Sequence, residues 1–197
     1  MLFRSKTVGV QWLAVFLGNP GIRYEHTRHN VGFMTADVVA KRCHVRIDRL
    51  KYKALTASVS IGGASVLLMK PQTFMNLSGD SVRAAMQFYK IPLDHVLVVS
   101  DDVSLPTGRL RIRRDGSAGG HNGLKDVIAK CGGETFPRVK IGIGAPPHPE
   151  MDMADWVLSP FRGKDLEEIL TVCDRAADAL ECLISEGVER AMNRYNS

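Results

Sequence analysis

Trp12-Leu13-Ala14-Val15-Phe16-Leu17 runs straight into Gly18-Asn19-Pro20-Gly21. Six apolar residues in a row, cut off by a glycine–proline turn, read as a strand covered on both faces. Such strands belong to parallel sheets wrapped by helices. The segments downstream support this reading. From Gly32 to Arg42, Phe33, Met34, Val38 and Val39 recur at helical spacing. Residues 53–61 and 64–69 are two β-prone runs split by Gly62-Gly63, which predicts a hairpin. Ser78 to Tyr89 places Val82, Ala85, Met86 and Tyr89 on one helical face, and Pro92 bars its continuation.

His95 to Ser100 holds Val-Leu-Val-Val, a second covered strand, and ends at Asp101-Asp102. In Arg109 to Arg113 a period of two turns Leu110 and Ile112 inward and three arginines outward. Asn122 to Lys130 predicts a short helix. Arg138 to Gly144 alternates again, with Arg138 and Lys140 on one face. The longest helical pattern runs from Asp165 to Arg190. Strands and helices interleave, so the expected fold is α/β: a single three-layer domain over residues 1–197, with a mixed, mostly parallel twisted sheet and helices on both faces.

The whole composition agrees. With 197 residues, 45% hydrophobic and 24% charged, the chain can bury a full core without metal or disulfide staples. Disorder, collagen-like repeats and a disulfide-built mini-protein are excluded. A net charge of +5 permits a phosphate-bearing partner without demanding one. Cys43, Cys131, Cys173 and Cys182 form no Cys-x-x-Cys pair and are read as reduced thiols. No apolar run approaches the roughly 18 residues that span a bilayer. Met1 to Thr7 leads into no signal-peptide pattern. A cytoplasmic protein without membrane attachment is expected.

Nucleotide-binding, zinc-protease and serine-hydrolase signatures are absent: no Gly-x-x-x-x-Gly-Lys-Ser/Thr, Gly-x-Gly-x-x-Gly, His-Glu-x-x-His or Gly-x-Ser-x-Gly occurs. What remains is a set of polar residues at strand ends, where open α/β sheets bind ligands. Asn19 follows the first strand, with His29 and Asn30 at the first helix entry. Met75 and Asn76 follow the hairpin, and Asp101 ends the Val-Leu-Val-Val strand. Gly119-Gly120-His121-Asn122-Gly123 follows the arginine strand. A histidine can take a proton from water near neutral pH. A carboxylate on its other ring nitrogen fixes the tautomer. Asparagine amides can hold a carbonyl or donate to an oxyanion. Hydrolysis of an activated ester, with neither metal nor serine nucleophile, is the natural chemistry.

Each residue also has a plainer role. Asn19 suits a turn, His29 a surface or core site, and Asp101 a turn cap. Asn76, Ser78 and Asn122 suit helix N-caps. His44, His95 and His148, with Met34 and Met86, are read as structural. Arg109, Arg111, Arg113 and Arg114, with Arg138 and Lys140, make either a solvated face or a track for a phosphate backbone. No aromatic residues interleave with them, so base stacking is not indicated.

Taken together, five blocks resemble the bacterial peptidyl-tRNA hydrolase family. They are Leu17-Gly18-Asn19-Pro20-Gly21 with Tyr24 and Thr27 to Gly32; Lys70 to Gly79; Asp101-Asp102 through Gly108; Gly116 to Lys125; and, more weakly, Arg138 to Gly144. The resemblance implies a cytoplasmic, metal-independent, cofactor-free monomer. Its activity would be cleavage of the ester between peptide and tRNA 3′ end in translation, with peptidyl-tRNA (acceptor stem and peptide) as partner. It makes His29 the catalytic base and Asp101 its partner. It puts Asn19, Tyr24, Met75, Asn76 and Asn122 at the substrate, and Arg111, Arg113, Arg138 and Lys140 towards tRNA. Phe16, Asp102 and Ser104 depart from the usual family pattern. A tRNA-binding module without catalysis and a general or metal-dependent esterase are the alternatives.

Overall fold

The computed structural model describes residues 9–196; the signal-peptide reading of Met1 to Thr7 lies outside them. The apolar run forms β1 (Trp12–Phe16), in the middle of a seven-stranded sheet. The other strands are β2 (Arg49–Lys51), β3 (Ala54–Ile61), β4 (Ala64–Pro71), β5 (Val96–Asp102), β6 (Leu110–Arg113) and β7 (Arg138–Gly142). Their spatial order is β2-β3-β4-β1-β5-β7-β6. β4, β1, β5 and β7 run parallel. β3 and β6 run antiparallel to their neighbours. The expected hairpin is β3–β4, turning at Gly62-Gly63.

Alternation along the central strands sorts side chains to two cores. Ala14, Phe16, Leu97 and Val99 face α1 (Val31–Arg42), α5 (Gly163–Glu186) and α6 (Val188–Tyr195). Leu13, Val15, Val96 and Val98 face α2 (Ser78–Tyr89) and α3 (Asn122–Cys131). Helices thus cover both faces, which satisfies strands that are apolar on both sides. Gly32 lets α1 lie against the sheet: a Cβ there would stand 2.3 Å from the Leu17 carbonyl oxygen.

Three features differ from the sequence reading. The long C-terminal helical pattern is broken at Gly187, whose φ of 92° ends α5 and redirects the chain into α6. A short strand, β2, and a short helix, α4 (Met153–Val157), also form; both are too brief to show a period. Arg138 is the third. It is 1% exposed, because β6 pairs outside β7 and makes β7 an inner strand. Its guanidinium donates to the carbonyls of Ser117 at 2.6 Å and Glu134 at 2.9 Å and lies over the Phe136 ring. Arg138 therefore braces the loop before α3, with its guanidinium turned inward, whereas the sequence pattern places it on an outer face.

Candidate active site

Period two puts Asp101 on the face of β5 that carries Leu97 and Val99, the face against α1. The turn Arg28–Asn30 before α1 delivers His29 to it. His29 Nδ1 lies 2.9 Å from Asp101 Oδ1, and both residues are buried. Burial pulls the imidazole down, but the charge and hydrogen bond of Asp101 outweigh it and raise His29 above its ordinary 6.5. Burial likewise pushes the Asp101 carboxyl up. Two facing imidazoles overcome that and hold it well below the usual carboxylate range.

The second imidazole belongs to His121, which sequence reasoning passed over as part of a glycine loop. Its Nε2 lies 2.9 Å from the same Asp101 oxygen. Its Nδ1 accepts from the backbone N–H groups of Gly123 and Leu124. His121 is therefore the N-cap of α3, the role assigned above to Asn122 as its plainer alternative. Asn122 becomes the first residue of the helix, exposed to the cavity. The one available signal was positional: His121 immediately precedes a helix and ends a loop beside a strand-end carboxylate. His29, Asp101 and His121 offer three ligand-type atoms within 4.8 Å of one another. Both rings already meet the same Asp101 oxygen, so a cation there would have to displace those two contacts.

Asn19 is fixed by two neighbours. Asn30 accepts from its backbone N–H at 2.8 Å and donates to its carbonyl at 2.9 Å. Asn19 Oδ1 accepts from Met75 N–H at 2.8 Å. With that oxygen engaged, the amide nitrogen remains to meet a ligand. Met75 in turn packs on Gly123, where a Cβ would stand 2.5 Å from Sδ. Phe74, next to it, takes φ 60° and ψ 162°, a region that normally needs glycine and costs about 1–3 kcal/mol.

These groups open on a cavity of about 740 Å3. Asn19, His29, Met75, Asn76, Asp101 and Asn122 all line it. Met153, Ala154, Val157 and Leu158, on or just beyond α4, form an apolar side that sequence reasoning did not find. Tyr24 stands one layer back, edge-on to Phe74. Lys140 also lines the cavity and pairs with Asp102 at 2.6 Å. Ser104 donates to Asp102 from backbone and hydroxyl. The Asp102 and Ser104 departures are thus joined in one turn beside the site. Arg111 and Arg113 project outward from β6 and are exposed. The four thiols are unpaired, and burial pushes Cys131 and Cys173 to about 11, so neither supplies a thiolate.

The model of the family described as peptidyl-tRNA hydrolase matches residues 13–197. The peptidyl-tRNA hydrolase of Clostridium novyi (strain NT) is 46% identical over 185 residues, 94% of this chain and 97% of that protein. That of Symbiobacterium thermophilum is 48% identical over 187 residues, 94% of this chain and 98% of that one. The crystal structure of peptidyl-tRNA hydrolase from Acinetobacter baumannii superposes with a TM-score of 0.89 at 33% identity, covering 95% of each chain.

Proposed function

The chain belongs to the peptidyl-tRNA hydrolase family, and on that premise we propose that it hydrolyses the ester joining a peptide to the 3′ end of tRNA, using a water activated by His29. The observation that carries this reading is the 2.9 Å contact of His29 Nδ1 with Asp101 at the wall of the cavity. An ionised Asp101 accepts a hydrogen bond from Nδ1–H, which keeps that proton on the ring and leaves Nε2 as the basic nitrogen. Nε2 takes a proton from water, and the resulting hydroxide attacks the ester carbonyl carbon. The tetrahedral oxyanion is met by amide N–H groups, with Asn19, Asn76 and Asn122 the candidates around the cavity. Collapse expels the ribose oxygen, which recovers the proton from His29.

The apolar side formed by α4 and Met75 suits peptide side chains. Exposed Arg111 and Arg113, with Lys140 at the rim, suit the phosphates of an acceptor stem. Recognition by shape and backbone fits a surface without interleaved aromatics. We read the protein as one domain, acting as a cytoplasmic monomer.

The test is release of tRNA from N-acetyl-aminoacyl-tRNA, beside unblocked aminoacyl-tRNA and simple esters, with and without EDTA. Cleavage of the blocked substrate that survives the chelator is expected. His29→Ala should fold normally and lose nearly all turnover, since a placed base contributes about 10²–10⁴-fold. Wild-type turnover by that variant would refute the assigned base. Binding without cleavage by the native protein would refute the activity itself.

A further inference from the structure

We infer that His121 is a positioning residue, locked by the first amides of α3 into the tautomer that carries its proton on Nε2, and that it acts as a permanent donor to Asp101 and never as a second base. Nδ1 of His121 faces two backbone N–H groups, of Gly123 at 3.1 Å and Leu124 at 3.2 Å. A nitrogen that accepts from two donors has no room for a proton of its own. The ring proton must then sit on Nε2, which points at Asp101 Oδ1. A second proton on the ring would set N–H against N–H at the positive end of a helix.

The groups facing His121 are Asp101 from β5, His29 from the turn before α1, and the amides of α3. A histidine is an unusual cap; serine, aspartate or asparagine would satisfy the same amides. Neither serine nor asparagine is long enough to do that and also reach Asp101, and aspartate would present an acceptor to an acceptor. Capping α3 and restraining Asp101 thus require one ring with one acceptor and one donor nitrogen. With Oδ1 held from the α3 side, Asp101 keeps its orientation towards His29 and shares its charge between two donors. Only one of the two histidines has its second nitrogen free.

The kinetic part rests on the hydrolysis proposed above; the tautomer does not. Long-range 1H–15N correlation of the 15N-labelled resting protein at pH 7 should give His121 a protonated Nε2 and an unprotonated Nδ1. The reverse pattern, or protons on both nitrogens, overturns the inference whether or not the enzyme turns over. His121→Asn keeps an acceptor for the cap but cannot reach Asp101. Its kcat should fall roughly ten- to hundred-fold, as for losing one hydrogen bond to a charged group, with KM little changed. Its acid limb in kcat/KM should also move to higher pH, because Asp101, relieved of one donor, holds the His29 proton more tightly. A merely structural role would lower kcat without moving that limb, and this result also overturns the inference. Loss of activity in His29→Ala with an unlocked His121 ring would leave the hydrolase reading standing and this one fallen.

Discussion

The cavity has a polar wall at the strand ends and an apolar wall on α4, and the two are held in place by different means. The polar wall is cross-linked side chain to backbone: Asn30 grips both backbone groups of Asn19, and Asn19 grips Met75. His29 and His121 meet on one oxygen of Asp101. The links are short, and all but the half-buried His121 contact are buried, so a displaced atom leaves a partner unsatisfied, which stiffens the wall. The apolar wall hangs on Arg28. Its guanidinium donates to Pro160 O and Ser159 Oγ and pairs with Asp165 at 2.7 Å. It also stacks on Trp156 at 3.7 Å and on Phe161. Arg28 is the residue before His29, so a single turn of chain supplies the proposed base to one wall and the tether to the other. The proposed chemistry thus sits on a wall cross-linked by its own side chains, while the apolar wall is tied to the chain before α1 by the Arg28 side chain together with backbone bonds and the Trp156 bond to Gly144 O.

Asp101→Asn should break the polar wall most severely. An amide cannot accept from both imidazoles while presenting no donor of its own, so His29 loses its fixed tautomer. A fall in kcat of about 10²–10⁴-fold is expected, with the fold retained by circular dichroism. Near-native turnover would mean that the carboxylate is not the orienting group.

The same wall predicts a pH profile. As the proposed base His29 would act in its neutral form, and Asp101 raises its pKa above the ordinary 6.5 against the pull of burial. The acid limb of kcat/KM should therefore lie above 6.5, with activity falling as pH drops through it. In Asp101→Asn the raising charge is gone while burial remains, so the limb should move downward. A limb that stays in place would locate the titration elsewhere.

Arg28→Lys tests the apolar wall. A lysine keeps the charge but loses the planar fork and the stack on Trp156. KM for a blocked aminoacyl-tRNA should rise by about three- to tenfold, equivalent to roughly 0.7–1.4 kcal/mol, with kcat changed less. Equal losses in kcat and kcat/KM would show that the tether also sets the position of His29.

The two walls also differ in how far the sequence reveals them. The polar residues are legible only as a set: each alone suits a turn or a cap, but their places at successive strand ends match one family pattern, and alternation in β5 fixes the face that Asp101 uses. His121 escaped because a histidine cap carries no propensity signal, and its partner lies 20 residues away on another strand. α4 escaped because five residues show no period. The break between α5 and α6 rests on the conformation of Gly187 within an otherwise uninterrupted apolar pattern. Arg138 and Arg111 read alike in sequence, as alternate residues of strands; only the order of β6 and β7 separates a buried brace from an exposed cation.

That separation gives the smallest expected effect. Arg113→Ala, outside both walls on the edge strand, should leave turnover of a minimal substrate lacking the tRNA body unchanged. With full tRNA it should weaken KM about two- to fivefold and lower the slope of log KM against log salt by about one phosphate contact. Arg138→Ala should behave differently. It removes donors to Ser117 and Glu134 and a stack on Phe136, so thermal stability should drop while the salt slope holds. If instead Arg138→Ala changed the salt slope and Arg113→Ala did not, the cationic surface would have to be sought on the opposite side of β7.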